Sequence, residues 1–245
     1  MRHPLIVVAL LLLLPTAAFA HSVNIDLGAA GNGSATSRIV QLTALLTVLS
    51  LAPSLLVMVT AFTRIVVVLS LLRSALGTQG APPNTVLIGL ALFLTYFVMQ
   101  PVFDRAWTAG LLPMSEGKLG EMEGLRRAAE PFRHFMAGSV RGEDLRLFLD
   151  LGNMADPDGP EQAPWRALIP AFMVGELRRA FEMGFLLYLP FLVIDLVVST
   201  VLMSLGMMML PPSAVSMPFK LIFFVLVDGW RLVAGSLVQS FPGGH

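Results

Sequence analysis

The sequence predicts an all-α, multi-pass membrane protein with two long kinked helical hairpins and a helical periplasmic insert between them. Of its 245 residues, 56% are apolar and only 13% are charged, and the mean hydropathy is +0.77. This composition is typical of membrane proteins, and prolines and glycines separate the apolar stretches as turns separate helices. The net charge is zero, so no basic field favours nucleic acid as a partner, and the lack of cysteine excludes disulfides and thiolate chemistry.

The N-terminus has the three parts of a cleavable signal peptide, which we assign to residues 1–20. Arg2 supplies a positive start, residues 5–14 form an apolar core, and residues 18–20 read Ala-Phe-Ala, a small-residue cleavage pattern. An uncleaved anchor is the alternative, but a membrane helix needs about 20 apolar residues. Residues 21–38 are then expected to form a flexible N-terminal lead-in outside the cytoplasm.

Residues 39–103 are predicted to form the first helical hairpin. The apolar stretch 39–72 exceeds the roughly 20 residues that cross a bilayer. Pro53 is expected to kink it, because the proline ring removes an amide donor and clashes with the preceding turn. Arg64 and Arg73 are interpreted as determinants of topology, with a structural pair to a neighbouring subunit as the alternative.

Residues 104–182 are predicted to be a charged, helical, periplasmic region. They hold ten of the sixteen basic and thirteen of the sixteen acidic residues. The positive-inside rule does not govern a connection of this length, and a cleaved signal followed by one hairpin leaves it outside the cytoplasm. Apolar residues at spacings of three and four predict that it is helical.

Residues 170–241 are predicted to form the second helical hairpin, which includes a methionine loop at 206–218. Its first helix covers about 36 residues, or roughly 54 Å if straight, which exceeds the thickness of a bilayer core. Pro190 is expected to kink this helix, and Pro211 with Pro212 is expected to interrupt the helix beyond it.

Three consecutive methionines, Met207, Met208 and Met209, stand in this loop. A membrane turn is usually built from glycine and polar residues, whereas this one keeps unbranched apolar side chains. The methionine thioether adapts to irregular or changing contacts, so such a connection is suited to sealing a space. The alternative is that the three residues only complete an apolar helix.

Asp195 and Lys220 are ionisable residues inside or beside apolar segments, where each costs several kcal/mol unless it is paired. Asp195 lies about 16 Å before the loop along its helix, whereas Lys220 is expected at the start of the next helix. We therefore predict that they pair between neighbouring copies of the chain. The alternative is a lysine that snorkels to the interface and a hydrated aspartate.

Several motifs in order resemble the FliP family of flagellar type III export-gate proteins, over about residues 38–241. These motifs lie at residues 61–73 with 82–84, 169–172 with 176–196, and 205–212 with 218–220 and 226–230. The clearest of them reads Leu-Gly-Met-Met-Met followed by Pro-Pro. The cleavable signal favours the flagellar branch over the homologous subunits of virulence injectisomes.

The resemblance implies a ring of five copies assembled with FliQ and FliR, in contact with FlhB and FlhA and with membrane lipid. The ring is expected in the bacterial inner membrane, within the flagellar basal body and exposed to the periplasm. Unfolded flagellar export substrates are expected to pass through its channel, which Met207, Met208 and Met209 constrict.

The resemblance also implies roles for five further positions. Asp195 and Lys220 are expected to act as a functional pair. Glu176 is a candidate subunit contact in the periplasmic ring, and a solvated pair with Arg179 is the alternative. Phe135 and Phe148 are apolar candidates for the same contact, and ordinary core packing is their alternative.

No catalytic residue, cofactor or metal site is predicted. The sequence has no phosphate-binding glycine loop and no nucleophile–base motif, and its histidines lack metal-ligand spacing. The prediction is a non-enzymatic protein conduit. A small-solute transporter is the alternative from a different class and would need internal repeats and polar residues converging near mid-membrane. A structural assembly scaffold is a third possibility.

Overall fold

The computed structural model describes residues 57–78, 80–207 and 209–241, together with helical positions 40, 43, 46, 47, 50 and 54. The chain divides into two compact units, residues 1–50 and 51–245, and all elements named below lie in the second. The predictions for the signal peptide, the lead-in, Pro53 and Met208 lie outside the described residues.

The described residues form helices and connections, without a strand, which confirms the all-α prediction. A π-helical turn at Trp107–Leu111 follows the second helix, and a 3-10 turn at Pro160–Gln162 precedes the sixth. The α-helices are α1 Phe62–Leu76, α2 Asn84–Ala106, α3 Leu112–Ser115, α4 Glu121–Ser139, α5 Gly142–Leu151, α6 Trp165–Ser204, α7 Pro212–Leu226 and α8 Gly229–Gln239.

Helix α1 lies in the core and packs mainly on α6. Its inward side chains, Ile65, Val68 and Leu72 among them, are buried. At Gly184 of α6 the two helices approach so closely that a Cβ would collide with the side chain of Leu71. With 15 residues, α1 is shorter than the roughly 20 that span a bilayer, and it is buried within the protein.

The charged region packs against the end of α2 through very small residues. A Cβ on Gly110, in the π-helical turn, would lie 2.5 Å from the backbone nitrogen of Ala128 and the backbone oxygen of Gly124 in α4. The rings of Phe103 and Phe132 meet 5.9 Å apart above this crossing. The close approach fixes α4 against α2, and α5 and α4 both pack on α6.

Helix α6 is continuous over 40 residues, or about 60 Å, with Pro170 and Pro190 inside it. Two helical stretches, 84–115 and 165–204, are long and apolar enough to cross a membrane. Helices α7 and α8 qualify as a third span only if taken together across a bend of 65°. The predicted first apolar segment is interrupted before α1 by a turn at residues 59–61.

The connection between α6 and α7 is shorter than the predicted loop at 206–218. Gly206 adopts a left-handed φ of 71°, and the amide of Met207 donates to the carbonyl of Leu202, which together end α6 in a Schellman motif. Pro211 caps α7 and Pro212 is its first residue, a position where proline's missing N–H costs nothing. These two prolines therefore begin a helix instead of kinking one.

Candidate functional site

A fully buried ion pair holds the N-terminal end of α1. Arg64 and Glu176 are each only 1% exposed, and the guanidinium binds the carboxylate through two parallel contacts. Nε donates to Oε2 at 2.8 Å, and Nη2 donates to Oε1 at 2.5 Å. A bidentate pair of this kind fixes both the distance and the orientation of the two helices that carry it.

The same guanidinium also binds the end of the chain. Nη1 of Arg64 donates to the carbonyl oxygen of Ser240 at 2.8 Å and to its hydroxyl at 2.9 Å. The ring of Phe241 lies against the guanidinium, 3.8 Å from ring centroid to Cζ. All three guanidinium nitrogens thus have an acceptor and one face of the plane is covered by an aromatic ring, so α1, α6 and the segment after α8 meet at one point.

This arrangement corrects two predictions. Arg64 is not a solvated determinant of topology, since it is enclosed in its own chain. Glu176 is not free for a subunit contact, because Arg64 engages both of its carboxylate oxygens. The predicted neighbour Arg179 does approach Glu176, with Nη1 at 3.8 Å from Oε1, but at the edge of a buried pair and not in a solvated one.

A second ion pair holds the C-terminal end of α1. Nζ of Lys220 in α7 donates to Oδ2 of Asp195 in α6 at 2.6 Å and to the carbonyl oxygen of Ala75 at 3.1 Å. The hydroxyl of Ser216 donates to the other carboxylate oxygen at 2.5 Å. The lysine therefore caps a last-turn carbonyl of α1 while it neutralises the aspartate.

The pairing of Asp195 with Lys220 occurs within one chain, so the prediction of a contact between copies is wrong. The reason is the early start of α7 at Pro212, which places Lys220 about 12 Å into the helix and not at its beginning. Asp195 lies about 14 Å before the end of α6 at Ser204, so the two residues are level across the hairpin.

The methionine connection is the turn that joins α6 to α7, at the tip of this hairpin. Met207 is 47% exposed and Met209 is fully exposed, and Leu205 and Leu210 beside them are also exposed. No side chain of the described part of the chain covers Met209. The structure thus presents an apolar surface with exposed methionines at the tip, as the sequence predicts, while the sealing role stays a prediction.

The two phenylalanine candidates differ. Phe135 is buried, and its ring packs 5.9 Å from Phe172 and 6.2 Å from Phe241, so it belongs to the core and its predicted subunit contact is corrected. Phe148 in α5 is only partly buried and packs against the same core. Its contact with another subunit stays a prediction.

The surface of the charged region carries exposed ion clusters. In α4, Glu123 accepts hydrogen bonds from Arg126 at 2.8 Å and from Arg127 at 2.7 Å. These hydrogen bonds lower the pKa of Glu123 from its usual 4.5 to about 2. Near α6, His134 lies 2.7 Å from a carboxylate oxygen of Glu161. The described residues contain no group of three or more ligands that could hold a metal ion.

Several residues of the two ion-pair sites were not predicted. Ser216, Ser240 and Phe241 are distant in sequence from the charges that they contact, and small hydroxyls carry no periodic signal. Arg64 and Glu176 could be identified from the sequence, because each is an ionisable residue in an apolar stretch, where a partner is expected.

The chain is similar to known proteins over most of its length. A model of the FliP family matches residues 45–237. The flagellar biosynthetic protein FliP of Caulobacter vibrioides is 57% identical over 233 residues, which cover 95% of this chain and 87% of that protein. The proteins of the same name from Agrobacterium fabrum and Bacillus subtilis are 48% identical over 242 residues and 50% identical over 205 residues. These alignments cover 97% and 84% of this chain, and 98% and 93% of the two relatives. The chain therefore belongs to the FliP family.

Proposed function

We propose that this chain is a pore-forming core subunit of the flagellar type III protein export gate, and that it conducts unfolded flagellar subunits without catalysing a reaction. The observation that carries the proposal is the tip of the hairpin between α6 and α7. There, exposed Met207 and Met209 sit on a rigid base that the pair Asp195–Lys220 ties to α1. A rigid base with a soft apolar tip is suited to a constriction that must open and close again.

The exposed apolar surface of the long helices supports an assembly around this tip. Much of α6 beyond Gly184 is uncovered, including Phe185, Leu186, Val193 and Leu196. Apolar surface of this extent requires lipid or other protein to cover it. Since α6 is about 60 Å long and a bilayer core is about 30 Å thick, lipid alone does not account for its whole length.

We therefore propose five copies in a ring with FliQ and FliR, close to FlhB and FlhA, in the inner membrane of the flagellar basal body. The helices project in part beyond the lipid, towards the periplasm. The names of the relatives, all flagellar biosynthetic proteins, favour the flagellar branch over the injectisome branch.

In this ring the three methionines of each copy line the channel. Five copies bring roughly fifteen thioethers together, and an apolar constriction of this kind excludes ions and water by dewetting. A passing polypeptide of any sequence displaces the side chains, because methionine has three flexible bonds and few directional contacts.

The test is to replace Met207, Met208 and Met209 together with alanine. We expect assembly to be retained, because Met207 and Met209 are exposed at the tip, while small solutes and protons leak across the membrane. The matched control is Met203→Ala, an exposed methionine one turn inside α6, which should not leak. Unchanged dye and proton permeability in an assembled triple variant would end the sealing proposal.

A further inference from the structure

Helices α7 and α8 form one apolar segment that is broken at Asp228. The helices meet at 65°, and Asp228 has the left-handed angles φ 51° and ψ 51°, which aspartate tolerates better than most residues. The buried ring of Phe224 fills the space where a side chain at Gly229 would lie, and it packs edge-on against Trp230 at 5.2 Å. The corner is therefore built into the fold.

Two charges at this corner have no partner among the described residues of their own chain. Residues 186–241 contain four charged side chains: Asp195, Lys220, Asp228 and Arg231. The first two form the ion pair described above. Asp228 and Arg231 are both exposed, and within the described residues neither side chain makes an ion pair or a hydrogen bond.

The surroundings of these two charges are apolar and uncovered. The neighbouring exposed side chains are Val225, Leu226, Val227 and Leu232. A charge in such surroundings, in a segment long enough to enter a membrane, costs several kcal/mol unless it is compensated. A compensating partner is therefore expected for each of Asp228 and Arg231.

We infer that a second copy of this chain covers the corner, and that Asp228 of one copy pairs with Arg231 of the next. This inference rests on the proposed ring. Each copy contributes one acid and one base at the same corner, so a contact that repeats between neighbouring copies pairs the acid of one with the base of the next. The guanidinium of arginine also suits a carboxylate in dry surroundings, because it binds with two parallel hydrogen bonds.

A pair inside one chain is the competing arrangement. Asp228 and Arg231 are three residues apart, so a rotation of either side chain could bring them together on α8. A charge exchange within one chain would restore both arrangements, and it does not separate them. The test must place the two positions on different copies.

Cysteine crosslinking does this cleanly, because the chain has no cysteine of its own. Asp228→Cys is made in a copy with one tag, and Arg231→Cys in a copy with another tag, and the two are expressed together. Oxidation should give a species of about twice the mass of the single tagged chain, and this species should carry both tags. The matched control pairs Asp228→Cys with Ser236→Cys, an exposed position on another face of α8.

The outcomes are separable when the copy number of the purified complex is measured alongside. A mixed-tag crosslink that the Ser236→Cys control does not reproduce supports the inference. Three results obtained with an intact ring overturn the inference: no mixed-tag crosslink, an equal crosslink from the control, or a crosslink that joins Asp228→Cys to a different protein. Each of these results leaves the proposed gate standing. A wild-type chain that stays monomeric overturns the gate, and the inference with it.

Discussion

The two ends of α1 are both held by a buried cation, but they are closed to different degrees. At the N-terminal end, Arg64 and Glu176 are each 1% exposed and the end of the chain covers them. At the C-terminal end, Lys220 is 6% exposed while Asp195 is 28% exposed. The first site is therefore dry, whereas water can reach the carboxylate of the second.

The difference indicates different purposes for the two sites. The dry site joins α1, α6 and the segment after α8, and its two charged side chains are covered by the described residues of the chain. The wetter site ties the hairpin of α6 and α7 to α1 just below the exposed methionines. Helix α1 takes part in both sites, so it connects the buried pair to the hairpin that carries the exposed methionines. The carboxylate of the second site stays accessible.

The largest expected effect comes from Glu176→Ala, which leaves Arg64 as an uncompensated buried charge. We expect a loss of about 3–5 kcal/mol in the free energy of unfolding. The measurement is unfolding of the detergent-solubilised protein, followed by circular dichroism. The control is Glu182→Ala, which removes an exposed partner of Arg178 on the same helix and should change stability by no more than about 0.5 kcal/mol. Equal losses in both variants would show that the first site is not dry.

A smaller effect is expected from Lys220→Met, which keeps the length of the side chain and removes its charge. We expect a loss of about 1–3 kcal/mol, because water can solvate the partly exposed Asp195 that remains. Lys118→Met is the control, since the pair of Lys118 with Glu116 is exposed. If Lys220→Met cost as much as Glu176→Ala in the same unfolding measurement, the contrast between the two ends of α1 would be wrong.

The smallest effect is expected at Glu123, which lies in an exposed ion cluster and serves as a reference for the two buried sites. Its pKa in the folded protein is about 2, below the usual 4.5, so its stabilising contribution is present above pH 4.5. That contribution is lost as the pH falls from about 4.5 to about 2. At neutral pH, the Glu123→Gln variant should therefore unfold at a slightly lower temperature than the wild type. Near pH 2 the two proteins should unfold at the same temperature. A difference in melting temperature that does not change with pH would contradict this assignment.

Local sequence features were sufficient for part of this protein. Apolar composition and helical spacing predicted the all-α class, and the length of the segment after Pro170 predicted a helix longer than a bilayer. The methionine run marked the exposed tip between α6 and α7. These features depend on the chemistry of neighbouring residues, so they can be read without knowing what packs where.

Prediction failed where distant segments meet. The prolines at 211 and 212 predict a break before Lys220, whereas Pro212 is the first residue of α7. The helical spacing leaves Phe135 as a candidate surface contact, whereas its ring packs against Phe241 in the core. The helix start at Pro212 follows a local preference of proline, whereas the burial of Phe135 depends on a contact between residues far apart in sequence.

The amino-acid sequence is sufficient to identify which charged residues need a partner. Ionisable side chains in apolar stretches require partners, and this held for Arg64, Glu176, Asp195 and Lys220. The identity of each partner follows from the packing of the folded chain. Pairing depends on how far each helix is shifted along its neighbour and on the parallel packing of α1 with α6. Both are set by the packing of the whole core.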